Sequence, residues 1–234
     1  MAPSTLVLTP DAAALPRDAG KSSTQTQVTA KPTEGTIQTV DGLLRHRARA
    51  FPDAVIVSYP STGIEYVDYT AKQLDTFAYR VGSHYQNTLP SRKSSSEKPM
   101  VVGLLGPSNF DYLVTMLALI KLGHTILFLS TRIPAEAVES LMKTTGAQFL
   151  LADSRHLETA QQAVASSGRP VLEIASKSVF DVPVDAHGDT ALDADLDPSV
   201  ETGNNVYIIH SSGTQPFVLQ FPQSCSVICA DMLT

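Results

Sequence analysis

The sequence predicts an α/β fold, a mostly parallel sheet flanked by helices, with a disordered N-terminal leader in front of it. Two observations carry the prediction. From Met100 onward, short apolar runs alternate with stretches of helical period, and successive strand-helix-strand units wind into parallel sheets through right-handed crossovers. Residues 1–36, by contrast, are rich in Ser, Thr, Ala, Pro and Gln and hold no sustained apolar period, so they cannot offset the entropy of ordering.

After the leader, Val40, Leu43, Leu44 and Ala48 recur at helical spacing between Thr39 and Pro52, with Asp41 as the candidate cap. The β-rich runs Ala54 to Tyr59 and Ile64 to Tyr69, separated by Pro60-Ser61-Thr62-Gly63, predict a hairpin. A helix over residues 70–86 follows, with Leu74, Phe77, Ala78, Val81 and Tyr85 on one stripe. Ser91 to Lys98 break the period and predict a solvated loop.

Met100 to Leu105 is a continuous apolar run, as a strand covered on both faces requires. The next helix is capped by Ser108 or Asn109, repeats Tyr112, Leu113, Met116, Leu117 and Ile120, and stops at Gly123. Thr125 to Leu129 is a strand, Pro134 to Gly146 a helix built on Ala137, Val138, Leu141 and Met142, and Phe149 to Ala152 a strand. A weaker unit pairs a helix from His156 to Ser166 with a strand from Pro170 to Ile174. Asp181 to Gly203, acidic and broken by Pro and Gly, predicts an exposed connector. Within it, Asp193-x-Asp195-x-Asp197 matches the start of a calcium loop, but Pro198 stands where that loop has its glycine and no glutamate occupies the twelfth position.

The 234 residues suffice for a sizeable core in one or two domains, and 43% hydrophobic with 17% charged residues suits a soluble globular protein. A formal net charge of -6 argues against a nucleic-acid partner, which demands clustered Lys and Arg. Met1 to Thr5 are not a basic segment leading into an apolar run, so the expected location is cytoplasmic, with no membrane partner. Cys225 and Cys229 have no second pair and no nearby histidine to complete a zinc site.

The chemistry is concentrated at one turn. Val206 to His210 reads as a strand, and Ser211-Ser212-Gly213-Thr214 follows it directly. Glycine lets the backbone approach closely, while amide hydrogens and three hydroxyls converge on one set of anionic oxygens. Tyr207-Ile208-Ile209-His210-Ser211-Ser212-Gly213-Thr214 resembles the start of the phosphate loop of adenylate-forming enzymes, the AMP-dependent synthetase/ligase superfamily, and especially the adenylation domains of fungal nonribosomal-peptide-synthetase-like reductases. Gly63 to Tyr69 with Leu74, and Leu119 to Ser130 followed by Arg132 to Glu136, are similar to upstream segments of that family in the same order.

The resemblance implies the N-terminal subdomain of an enzyme that condenses a carboxylic acid with ATP to an acyl-adenylate and pyrophosphate, then passes the acid to a thiol of a carrier protein. Ser211, Ser212, Gly213 and Thr214 would cradle the β and γ phosphates, with magnesium as counter-charge. His210 would sit beside the acyl side of the site, or else be a strand-end histidine bonded to backbone; both readings stand. No residue of this chain is implied as catalytic or as a metal ligand.

After Thr214 the family pattern has a small hydroxyl residue, a glycine and, after a proline, a lysine, whereas this chain has Gln215-Pro216-Phe217-Val218-Leu219. The expected division is a flexible leader (1–36), a partial adenylation (AMP-binding) domain (37–214) and an aberrant tail (215–234). A frameshift, retained intron or alternative splice form would produce such a break, and the expected product is an inactive fragment, incomplete within its phosphate loop. Its strands would miss their later partners, leaving Val206 to His210 or Phe217 to Phe221 as open edges prone to self-association. The alternative is a stand-alone nucleotide-binding or regulatory α/β module without catalysis. A dinucleotide oxidoreductase, suggested by Gly103-Leu104-Leu105-Gly106, lacks the G-x-G-x-x-G spacing and has Ser130 and Thr131 where an acidic residue belongs.

Overall fold

A continuous apolar strand is stable only when both of its faces are covered, and that requirement sets the architecture around β3 (Val101–Leu105). In the computed structural model, which describes residues 37–61, 64–183, 192, 196–210 and 218–222, β3 lies within a six-stranded sheet. Its parallel neighbours are β4 (Thr125–Leu129) on one side and β5 (Phe149–Ala152) on the other. With β6 (Val171–Glu173), β7 (Asn205–His210) and β8 (Val218–Pro222) the order is β6-β5-β3-β4-β7-β8. Five strands run parallel and β8 is antiparallel to β7.

Side chains that alternate along these strands feed two cores. Val102, Leu104, Ile126 and Val206 join the residues of α1 (Val40–Ala50), α2 (Ala71–Tyr85) and α3 (Phe110–Lys121). Leu105, Leu127, Leu150 and Ile208 join those of α4 (Ala135–Thr145) and α5 (Leu157–Val164). The hairpin of β1 (Val55–Pro60) and β2 (Tyr66–Thr70) forms a separate antiparallel pair. It leads into α2 through a reciprocal cap: Gln73 N–H donates to the Thr70 hydroxyl, and the Thr70 N–H donates to the Gln73 side chain. The stripe expected on α2 is buried throughout.

Several expectations are corrected. Thr39, not Asp41, caps α1 by accepting from Gly42 N–H at 3.0 Å, because Asp41 is drawn to the Lys121 ammonium at 2.8 Å, a cation that also meets Asp75 at 2.7 Å. On α3, Asn109 is the cap. Its buried face runs through Phe110, Val114, Ala118 and Lys121, while Tyr112, Leu113, Met116 and Leu117 are only partly buried and Ile120 is buried as expected. A helix apolar on nearly every side does not reveal its inner face by period alone. Val206 to His210 is no open edge: β7 pairs with β4 and with β8, which takes the end of the sheet.

Both segments expected to be solvated contribute to the interior. Arg92 from the 91–98 stretch and Glu201 from the connector, at the end of the four-residue α7 (Pro198–Glu201), are each buried and meet in a two-pronged ion pair at 2.7 and 3.1 Å. Arg92 also donates to the carbonyls of Glu97 and Gly123. Gly123, at φ 81°, turns the chain from α3 into β4 in the left-handed region that favours glycine. Burial opposes the charge on Glu201, but the bonds from Arg92 and Asn204 outweigh it and hold the carboxyl below its ordinary range. Residues 1–36, Asp193, Asp195 and most of 215–234 lie outside the described residues.

Truncating one partner of the Arg92–Glu201 pair strands the other charge in the interior. Arg92→Ala is expected to lower the unfolding free energy by about 3 kcal/mol in urea titrations, with the double replacement Arg92→Met/Glu201→Leu recovering much of the loss. His124 supplies a second measurement. Buried, it donates from Nε2 to the Pro90 carbonyl at 2.9 Å and leaves Nδ1 without a partner among the described residues. Burial first, and then the Arg92 charge, pushes its pKa down to about 4 against the bond to Pro90. Below an ordinary value of 6.5 the unfolded chain therefore takes up a proton that the folded chain refuses. Stability should fall by up to about 3 kcal/mol as pH drops from that value toward about 4, and denaturation of a His124→Gln variant should show a flatter dependence.

Candidate functional site

In an open parallel sheet, the crevice outside the carboxyl ends of the strands opens where successive crossovers diverge to opposite faces. Here the connection leaving β3 enters α3 on one face and the connection leaving β4 enters α4 on the other. A cavity of about 520 Å³ lies at that point. Gly106, Pro107 and Ser108 line it from the end of β3, Leu129, Ser130 and Thr131 from the end of β4, and Ile209 and His210 from the end of β7.

Tyr112 and Phe128 complete the lining with aromatic surface. Their rings stack at 6.2 Å between centroids, and Phe128 in turn meets Tyr207 at 5.3 Å. Burial raises the phenol of Tyr112 well above its ordinary range and pushes that of Tyr207 up to about 12, so both are neutral groups at physiological pH and neither serves as a base. Ser108 sits one residue before the α3 cap, where Asn109 accepts from the Tyr112 N–H at 2.8 Å. At Gly106 an added Cβ would lie 3.1 Å from both Asp153 Cβ and Ile174 Cδ1 and 3.4 Å from Tyr112 Cδ2, which ties the absence of a side chain there to the position of the Tyr112 ring.

His210, the last residue of β7, accepts a hydrogen bond at Nε2 from the Ser130 backbone N–H at 3.2 Å. The Ser130 hydroxyl accepts from the Arg132 N–H at 3.2 Å, closing the turn after β4. Of the residues singled out from sequence, His210 is thus placed in the cavity wall and bonded to backbone. Ser211, Ser212, Gly213 and Thr214 lie outside the described residues. They belong to the connection 211–217 between β7 and β8, whose flanking residues His210 and Val218 are paired. Among the described residues no group of three or more His, Cys, Asp and Glu is placed to hold a metal, and no helix is long and apolar enough to cross a membrane.

Sequence reasoning missed Gly106, Ser108, Tyr112, Ser130 and Thr131 as lining residues. The signal was present: they sit at the ends of the apolar runs 100–105 and 125–129 or just inside the helix that follows, where the divergence of the crossovers opens the sheet.

Comparison with known proteins agrees with this layout. The family model described as AMP-binding enzyme matches residues 44–215. The chain is 27% identical over 176 residues to a plipastatin synthase of Bacillus subtilis (strain 168), a match covering 75% of this chain and 6% of that protein. It is 32% identical over 119 residues to an adenylate-forming reductase of Aspergillus terreus (strain NIH 2624 / FGSC A1156), covering 48% and 11% respectively. The AMPPNP-bound structure of a nonribosomal peptide synthetase superposes with a TM-score of 0.59 at 18% identity, over 85% of this chain and 18% of that one. The chain thus spans only a small part of the length of each of these relatives.

Gly106→Val should force Tyr112, Asp153 or Ile174 aside. The expected result is a destabilisation of about 1–3 kcal/mol in denaturant, accompanied by a changed near-ultraviolet circular dichroism signal from the tyrosine stack.

Proposed function

We propose, from the premise that the chain belongs to the AMP-binding enzyme family, that it supplies the N-terminal, phosphate-binding side of a site that activates a carboxylic acid with ATP. The observation that carries this reading is the delivery of His210 to the wall of the cavity at the sheet's carboxyl end. The hydroxyl-rich run Ser211 to Thr214 is joined directly to that residue. Amide hydrogens and hydroxyls of that run would take the β and γ phosphates of ATP, and the cavity would receive the reacting end of the substrates.

In the complete reaction the acid's carboxylate displaces pyrophosphate from ATP to give an acyl-adenylate. A small-molecule carboxylic acid and a carrier-protein thiol are the corresponding partners. Magnesium would travel with the triphosphate, since among the described residues no set of side chains forms a cage for it.

The chain taken alone is proposed to be without turnover. Beyond Thr214 the run Gln215-Pro216-Phe217-Val218-Leu219 removes an amide donor at the proline and places leucine where a cation would meet the phosphates. One observation favours the reading as a nucleotide-binding module without catalysis: β8 pairs with β7 on the side away from β4, so β7 has a neighbour on each side.

A pyrophosphate-exchange assay over a panel of carboxylic acids should give no acid-dependent exchange with the full chain, and exchange with any acid would overturn the proposal of inactivity. Calorimetric titration with ATP and magnesium separates the two readings, saturable micromolar binding favouring the module. Rebuilding the loop with Gln215→Thr, Pro216→Gly and Leu219→Lys should tighten ATP binding by about tenfold or more. Adding Ser211→Ala and Thr214→Ala in that background should reverse the gain.

A further inference from the structure

The pairing of β4 with β7 runs from Ile126 and Tyr207 to Phe128 and Ile209. Side chains close both ends of this ladder. At its start the Thr125 hydroxyl donates to the Asn205 carbonyl at 2.7 Å. At its far end the Ser130 N–H, two residues beyond Phe128 and in line with the next alternate donor of a parallel ladder, finds the His210 ring instead of a carbonyl. An N–H at a strand end needs an acceptor when it is turned inward, and β7 provides a side chain there at the residue where the chain departs into the connection 211–217.

The bond assigns the tautomer. A backbone N–H only donates, so Nε2 is an acceptor and the proton of the neutral ring is on Nδ1. A doubly protonated ring has no lone pair to offer at Nε2.

We propose that His210 is a positioning residue: its neutral, Nδ1-protonated ring accepts the Ser130 N–H and so fixes, against the end of β4, where the chain leaves β7 for the connection 211–217. The proposal deepens the phosphate-site reading and rests on it only for the ligand, not for the tether.

The test is performed on the full chain. Nitrogen-resolved NMR should find the His210 proton on Nδ1, and exchange of the Ser130 amide should be slow in the native protein. Exchange should be about tenfold faster in His210→Phe, and slow again in His210→Gln, whose side-chain oxygen replaces the acceptor without titrating. In the rebuilt-loop background, ATP and magnesium should bind about fivefold more weakly with His210→Phe than with His210→Gln.

A Ser130 amide equally protected in His210→Phe, with the denaturation midpoint unchanged, overturns the tether, as does a proton found on Nε2. Should His210→Phe fail to fold, a Ser130 amide that exchanges without protection in the native protein overturns it equally. Should the exchange pattern hold while the rebuilt loop fails to bind ATP, the tether stands and the phosphate reading falls.

Discussion

The molecule depends on the double coverage of β3. A strand with Val102, Gly103, Leu104 and Leu105 all buried must have helices on both faces and a hydrogen-bonded neighbour on each side. With β4 on one side and β5 on the other, the chain has to cross over β3 in going from β4 to β5, and that crossing puts α3 and α4 on opposite faces. The cavity between Gly106 and Ser130 is the geometric remainder of this reversal, present before any residue in it is chosen for chemistry.

Covering the sheet leaves long connectors to be held, and buried cations hold them. Arg80 of α2 donates to the carbonyls of Phe180 and Val182 at 2.8 and 2.7 Å, the first of them ending the short helix α6 (Lys177–Phe180). Arg92 binds Glu201 just before β7 begins, and Lys121 gathers Asp41 of α1 and Asp75 of α2. Each cation sits where solvent cannot compete, so each demands its partner. The connectors are thereby brought to defined places on the sheet, where Phe180 and Leu192 also join the core. This arrangement carries β7 to its place beside β4.

Much of this was legible in the sequence. Hairpin, helices and the parallel strands from residue 100 onward follow from period, turn residues and runs of β-branched and apolar side chains, because those signals are local. Where legibility failed, the deciding partner was distant. Arg92 and Glu201 are 109 residues apart, so each read separately is an ordinary solvated charge. Asp41 was free to cap α1 until Lys121, 80 residues away, claimed it, and the inner face of α3 was hidden because that helix packs apolar surface in several directions. In the candidate site, His210 was readable as a strand-end residue beside a hydroxyl-rich turn, but the acceptor role of its ring was not.

By itself the sequence determined the alternation of strands and helices, the family to which that order belongs, and the position of Ser211 to Thr214 directly after an apolar strand, since all three are properties of neighbouring residues. Tertiary structure alone decided that β7 lies inside the sheet between β4 and β8, which lining residues meet across the crevice, and which charges are buried. Those outcomes depend on register and on pairs far apart in the chain, and such pairs exchange water for one another only once the whole sheet has assembled.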